Sequence, residues 1–584
     1  MRIKKWPLIF DGAMGTYYAN VSDNPLSKCE FANIYERNTI FNIHKEYINA
    51  GCKAIRTNTF AANRTSLESD FQKVREVIEK GYEIALEAVN GTDVLIFADL
   101  GPIQVSDDRN IGEEYIEIAD VFLDLGAENF VFETFGSDEG LAEICAYIKE
   151  KNPDAFILVE FAVTPEGYTR LGESGKKLLE NILKLTTVDA CGFNCVSGPY
   201  HLLQYIKTID TGNKIISVMP NSGYPTIINN RTFFDNSKEY FADQMLEIGK
   251  QGVSILGGCC GTTPEFIRET VLRIEELSAG EIVPNKQIEK AGDEKPKREN
   301  LLINKINNGK KIIAVELDPP VDTDIDFFMR SAEILKNHGV DAITIADCPI
   351  ARARVDSSIL ACKLKRELDI TPIPHMTCRD RNINATKALL LGLNIEGVNN
   401  VLVVTGDPIP SAQRDEIKAM FSFNSAVLAK YITNLNENTF SNPFNICGAL
   451  NINARNFQHQ LVHAKKKIEN GVTMFLTQPV LTKEAVENLK LARKELSAKI
   501  LGGIIPVVSY RNACFMNNEI SGITVSDEII KQYKDTTKEE ATELAVKIST
   551  DIAKEIAPYV DGYYLITPFK RIDIISEIIN NIKA

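Results

Sequence analysis

Two sets of eight short apolar runs, one set in each half of the chain, alternate with stretches of helical periodicity. In the first half the runs are Leu8-Ile9-Phe10, Lys53-Ala54-Ile55-Arg56, Val94-Leu95-Ile96-Phe97, Phe130-Val131-Phe132, Ile157-Leu158-Val159, Ala190-Cys191-Gly192-Phe193, Ile215-Ile216-Ser217-Val218 and Val253-Ser254-Ile255-Leu256. In the second half they end near Glu316, Ala346, Met376, Val404, Ala449, Thr477, Val507 and Ile566. Apolar runs separated by helical segments read as parallel strands with crossover helices. Eight such units make a (β/α)8 barrel. The expected class is therefore α/β, with two TIM barrels joined by a charged linker. The 584 residues suit that arithmetic, since one α/β barrel commonly takes about 250.

The linker is legible in composition. From residue 279 to 309, and most clearly over Lys290 to Glu299, the chain loses apolar periodicity and becomes charged, so it cannot bury enough surface to fold alone. The expected division is 1–278 for the first barrel, 279–310 for the linker and 311–584 for the second barrel. The alternative for Glu299 to Asn308 is a peripheral helix packed on one barrel.

In such barrels chemistry gathers at the C-terminal ends of the strands. The first-half positions are Asp11-Gly12, Thr57-Asn58-Thr59-Phe60, Ala98-Asp99-Leu100-Gly101-Pro102, Glu133-Thr134, Asn194-Cys195 and Cys259-Cys260. The adjacent cysteines sit in Gly257-Gly258-Cys259-Cys260-Gly261-Thr262. Neighbouring Cα atoms are about 3.8 Å apart, closer than an unstrained disulfide accepts, so a shared metal is the better reading. A catalytic zinc takes three protein ligands and keeps its fourth position open; the third thiolate is available at Cys195. A structural zinc would need a fourth cysteine or histidine nearby, and none is evident.

Bulk properties narrow the function class. A formal charge of −14 argues against nucleic acid as a partner. No signal-peptide core follows Met1-Arg2-Ile3-Lys4-Lys5, and no 18-residue apolar run could span a bilayer. Twelve cysteines in that context read as reduced thiols, and the expected location is cytoplasmic.

With Asp11-Gly12-Ala13-Met14-Gly15-Thr16, the cysteine motifs over about residues 1 to 275 resemble the homocysteine S-methyltransferase family, including the homocysteine module of cobalamin-dependent methionine synthase. The resemblance implies zinc held by Cys195, Cys259 and Cys260, with Asp11 and Glu133 holding the homocysteine amino group. A free thiol is only a few per cent thiolate at neutral pH, and zinc coordination deprotonates it.

The second-half strand ends offer Glu316 before Leu317-Asp318-Pro319-Pro320, His375 in Pro374-His375-Met376-Thr377-Cys378, Asp407 in Thr405-Gly406-Asp407-Pro408, Asn451-Ile452-Asn453, and Gln478 in Thr477-Gln478-Pro479. In that order, over about residues 311 to 580, they resemble methylenetetrahydrofolate reductase, which holds FAD in a barrel. Consistently, the chain has no G-x-G-x-x-G fingerprint. The resemblance implies Glu316 as general acid and Asp407 near flavin and pterin. It also implies Gln478 on the pterin, and Thr344, His375, Gly406 and Lys467 along the flavin. Thr405, Gln460 and Asn451 depart from the family pattern.

The expectation is a bifunctional one-carbon enzyme. It would methylate homocysteine to methionine and reduce 5,10-methylenetetrahydrofolate to 5-methyltetrahydrofolate through FAD, with NADH or NADPH as electron donor. No D-x-H-x-x-G corrinoid signature occurs, so the methyl donor is expected to be a corrinoid protein in trans or an S-methylmethionine-type sulfonium. An oligomer is left open. The rival from another class is a non-catalytic folate- or flavin-binding module whose structural zinc recruits a partner protein.

Overall fold

The computed structural model describes residues 7–22, 25, 28–104, 111–209, 215–224, 226–228, 231–233, 236–275, 300–407, 424–520 and 522–583. The chain divides into two compact units, residues 1–292 and 293–584. Each is an eight-stranded parallel barrel with helices outside.

The first barrel is built from Leu8–Ile9, Ala54–Arg56, Leu95–Leu100, Asn129–Phe135, Phe156–Phe161, Ala190–Asn194, Ile215–Met219 and Ile255–Leu256. Every expected run supplies one strand. Seven neighbouring pairs form ladders. The ring closes where Phe10 bridges Ala54, with Lys53 N–H donating to Ile9 O at 2.7 Å and Asp11 N–H to Ala54 O at 2.9 Å. Strand alternation sorts the apolar side chains into two layers. Leu8, Phe10, Phe97, Val131, Leu158 and Ile255 fill one cluster, whereas Ile9, Ile55, Phe130, Ile157 and Val159 join the larger cluster that the helices cover. Helix Phe71–Val89 shows how the cover is made. Asp70 caps it by accepting from Lys73 N–H, and Val74, Val77, Ile78, Ile84, Ala85 and Ala88 form its buried stripe.

The second barrel closes fully through Ile312–Leu317, Ala342–Ile345, Thr371–Thr377, Asn400–Val404, Asn445–Leu450, Met474–Pro479, Lys499–Ile504 and Gly562–Ile566. The seventh strand ends at Ile504, before the expected Val507, because Pro506 has no N–H to continue the ladder.

Part of the expected linker takes the alternative form. Leu301–Asn307 is a helix, capped by Asn300 Oδ1 accepting from Leu302 and Ile303 N–H. Its Leu302 and Ile306 pack into the same cluster as Ile312, Ala314, Leu402 and Met474. It is therefore an integral part of the second unit. The charged stretch up to Glu299 lies outside the described residues. Among the described residues no helix is long and apolar enough to cross a membrane.

Candidate functional site

The C-terminal end of the first barrel holds a cavity of about 360 Å³. Its lining includes Asp11, Arg56, Asp99, Glu133 and all three predicted cysteines. Sγ of Cys195 and of Cys260 lie 3.7 Å apart, and the three sulfurs fall within 4.8 Å of one another. Among the described residues this is the one such cluster of His, Cys, Asp or Glu, and it contains no fourth ligand of those types.

The chain folds tightly to bring the thiols together. Cys195 and Val196 take φ of 56° and 60°, a left-handed conformation uncommon outside glycine. From the adjacent strand end, Pro220 O accepts from Cys259 N–H at 2.8 Å, and Ser222 N–H donates to Cys260 O at 2.9 Å. Thr262 donates its hydroxyl to Cys259 O at 2.7 Å and accepts from Ala13 N–H at 3.1 Å. This packing requires glycine at two places: a Cβ on Gly12 or Gly258 would lie 2.6 or 2.4 Å from Thr262 Oγ1. Next to this turn, Asn221 keeps its Oδ1 buried without a partner.

Three converging thiols cannot all ionise alone. Hydrogen bonds from Cys259 and Cys260 hold the Cys195 thiol well below the ordinary range, and the contact with Cys195 pushes the other two up. The trio thus favours one negative charge without a cation, and a dication would release the remaining protons. The donor set fits zinc in number and softness.

Beside the thiols lies an ionic knot built on Arg56, which the sequence reading treated only as a strand residue. Arg56 Nε donates to Asp11 Oδ1 at 2.9 Å, and its backbone N–H donates to Asp11 Oδ2 at 2.9 Å. Nη1 reaches Glu133 Oε2 at 2.6 Å, while Nη2 reaches Gly12 O and Gly258 O, each at 2.8 Å. The guanidinium therefore ties both predicted amino-group partners to the cysteine turn. Burial works against its charge, but Glu133 and Asp11 more than compensate and raise its pKa. Asn194 Nδ2 adds a contact to Glu133 Oε2 at 3.3 Å. Deeper in the barrel, Ser217 Oγ donates to Glu160 Oε1 at 2.5 Å, and burial pushes this acid up to about 8. Glu160 was missed in sequence because it lies inside an unbroken apolar strand, Phe156–Phe161.

In the second barrel the structure brings Glu316, Thr344, His375 and Tyr564 together. Glu316 pairs in register with Thr344, accepts from the Tyr564 hydroxyl, and lies 3.6 Å from His375 Nε2. Burial raises the Glu316 carboxyl to about 7, against the pull of Tyr564 and with help from Asp318. Burial also lowers His375 to about 4. Thr344 Oγ1 and His375 Nε2 are buried without hydrogen-bond partners, which suits a strand-end cradle for a polar ring system.

The other expected residues lie on separate elements of this barrel. Gly406, at φ 95°, and the exposed Asp407 follow the fourth strand, where Arg379 Nη1 donates to Asp407 O at 3.0 Å. Gln478 is half-buried in the sixth strand. Lys467 turns inward from its helix and donates to Ala449 O at 3.1 Å. Beside them, Asp347 accepts from Thr377 N–H at 3.0 Å and from Arg381 Nη1 at 2.8 Å, a contact not anticipated from sequence.

Residues 8–273 match the family model described as Homocysteine S-methyltransferase, and residues 302–583 match that described as Methylenetetrahydrofolate reductase. Among curated relatives, the methionine synthases of Mycobacterium leprae and Mycobacterium tuberculosis are each 26% identical over 47% of this chain. The chain spans about a quarter of the length of these relatives, the matched part being 25% of each. Among solved structures, the homocysteine methyltransferase MmuM from Escherichia coli in its metallated form is 21% identical. That match covers 46% of this chain and 97% of the other, with a TM-score of 0.38. The apo form of the same protein gives 22%, 46%, 97% and 0.36.

Proposed function

We propose that this chain, which joins a homocysteine S-methyltransferase domain to a methylenetetrahydrofolate reductase domain, methylates homocysteine at a zinc site in its first barrel and reduces methylenetetrahydrofolate with FAD in its second. The observation that carries the first activity is the convergence of Cys195, Cys259 and Cys260 on the wall of an acid-lined cavity. Bound zinc would supply a thiolate-stabilising positive charge at neutral pH. The three cysteines would hold it and leave one position facing the cavity. The acidic wall of Asp11 and Glu133, fixed by Arg56, would receive the substrate ammonium and so aim its sulfur at the thiol cluster. Absence of a fourth ligand of the searched types among the described residues favours this reading over a closed structural zinc that recruits a partner.

In the second barrel, FAD would supply the hydride. Thr344, His375, Gly406 and Lys467 would line the flavin, with Asp407 near flavin and pterin and Gln478 on the pterin. Glu316 would deliver a proton to the folate nitrogen as the five-membered ring opens. The environment supports that role: a half-buried carboxyl titrating near neutrality can hold a proton and release it. A nicotinamide nucleotide, NADH or NADPH, would reduce the flavin. The methyl donor would be a corrinoid protein in trans or an S-methylmethionine-type sulfonium.

The test is to measure zinc and FAD in the purified full chain, then to assay homocysteine-dependent methionine formation with each donor class. Bound zinc and flavin with methionine formed from one donor support the reading. A chain with neither cofactor and no product from any donor refutes it.

A further inference from the structure

In the second barrel the Tyr564 hydroxyl donates to Glu316 Oε2. The eighth strand, Gly562–Ile566, pairs with the first so that Tyr564 lies opposite Ala314 and Ile566 opposite Glu316. Tyr564 therefore stands two residues nearer the N-terminal end of the barrel than the acid it touches, and strand alternation turns residues 314, 316 and 564 to the same side. Its ring belongs to the interior cluster of Ile312, Ala314, Leu402 and Met474 and keeps 7% exposure, whereas the Glu316 side chain keeps 18%. The phenol thus holds the carboxyl from the packed side.

A phenol gives one proton to a hydrogen bond. Burial first, and Glu316 next, push the Tyr564 pKa well above the ordinary phenol range, so the hydroxyl stays a donor wherever the enzyme works. With Oε2 accepting from Tyr564, the proton of the neutral carboxyl belongs on Oε1. A hydrogen bond to a carboxylate favours the charged form, so the same contact supports the anion left once that proton has gone. The other neighbours differ. His375 Nε2, 3.6 Å away on the third strand, is disfavoured as a cation by burial. Asp318, two residues on, opposes a second negative charge, while Arg354 acts on Asp318. Thr344 on the second strand and Gly503 on the seventh carry no charge. Of these groups, Tyr564 alone favours the Glu316 anion.

We propose that Tyr564 is the positioning residue of the second-barrel acid: its hydroxyl fixes the Glu316 carboxyl with Oε1 toward the folate and stabilises the carboxylate that proton delivery leaves behind. The inference rests on the reading of Glu316 as the acid that opens the five-membered ring. In that step the Oε1–H bond breaks, and the folate nitrogen gains the proton and keeps the electron pair of its broken C–N bond. Tyr564 retains its own proton throughout. A phenyl ring in its place would fill the same space and leave the carboxyl undirected.

The experiment titrates the flavin-loaded full chain by infrared difference spectroscopy, with the Glu316 carboxyl band identified by its loss in Glu316→Gln. In the parent the midpoint should lie at about 7. Tyr564→Phe should move it up by about 1 to 2 pH units, the size of one lost charge-assisted hydrogen bond. Replacing Tyr564 with 3-fluorotyrosine, whose hydroxyl is a stronger donor of the same reach, should move it down. Flavin reoxidation by methylenetetrahydrofolate, followed by rapid mixing, should show the matching split in Tyr564→Phe: a plateau rate about 10-fold lower, with its alkaline limb displaced upward and folate saturation unaltered. An unmoved midpoint in a folded, flavin-loaded Tyr564→Phe chain would overturn the role of Tyr564 while leaving Glu316 as the acid. Misfolding of Tyr564→Phe together with an unmoved midpoint in the fluorotyrosine chain would mark a packing residue and overturn it too. A parent that takes up no flavin, or Glu316→Gln that reoxidises flavin at the parent rate, would remove the acid reading itself, and the proposal with it.

Discussion

His375 Nε2 stands 3.6 Å from Glu316 Oε2, and burial disfavours the charged form of both groups. The carboxyl is raised to about 7 and the imidazole lowered to about 4, so the proton available at this strand end belongs to Glu316.

A pH dependence follows. The acid must be protonated to act, so folate reduction should fall as pH rises through about 7. The sign for stability is the same: with the folded pKa raised, the contribution of the neutral carboxyl is complete below its unfolded value and is lost as pH rises through about 7. Glu316→Gln should slow reduction by about 10² to 10⁴ while FAD stays bound. Rapid-mixing measurements of flavin reoxidation by methylenetetrahydrofolate check both. A fully flavinated variant with the parent rate would shift suspicion to Asp407.

The Arg56 knot makes a stability prediction for the first barrel. Arg56→Met leaves Asp11 and Glu133 buried without their cation, at a cost of about 3–5 kcal/mol. Arg56→Lys should restore little, because one ammonium cannot reproduce contacts made through Nε, Nη1 and Nη2. Denaturant unfolding of the full chain, followed with a first-barrel probe, reads the effect. An unchanged midpoint would mean that the knot does not support the fold.

The helix Leu301–Asn307 changes where the chain can be cut. We propose that residues 1–278 fold alone, as does a second fragment beginning at Asn300. A fragment beginning at Lys311 loses Leu302 and Ile306, both buried in the second unit's core. That deletion should cost about 3–6 kcal/mol at the usual value for two large aliphatic side chains. Thermal melts of the two C-terminal fragments decide the matter. Equal stability would show that the helix is dispensable.

Much of this architecture is legible in the sequence because parallel strands buried on both faces read as apolar runs. The thiol turn is legible because adjacent cysteines among glycines have few other uses. The Arg56 knot is not, since Asp11, Arg56 and Glu133 lie 45 and 77 residues apart and meet only when the barrel closes. Glu160 is hidden for another reason: it lies within the apolar stretch Phe156–Phe161, and its one hydrogen-bond partner, Ser217, comes from a strand far along the chain. Leu302 and Ile306 have helical spacing, but their charged N-terminal flank draws them into the linker when composition is averaged. Lys467, in a run of three lysines, looks like a solvated face until the fold turns it toward Ala449 O.

The central claim is that Cys195, Cys259 and Cys260 form an open zinc site whose loss leaves the flavin half untouched. Elemental analysis of zinc, with FAD absorbance on the same samples, tests it most directly on the parent and on Cys260→Ala. The account predicts about one zinc per parent chain, the stoichiometry of a single open three-ligand site, little zinc in the variant, and unchanged flavin in both. Full zinc occupancy in Cys260→Ala, or a flavin-loaded parent that takes up no zinc, would contradict it.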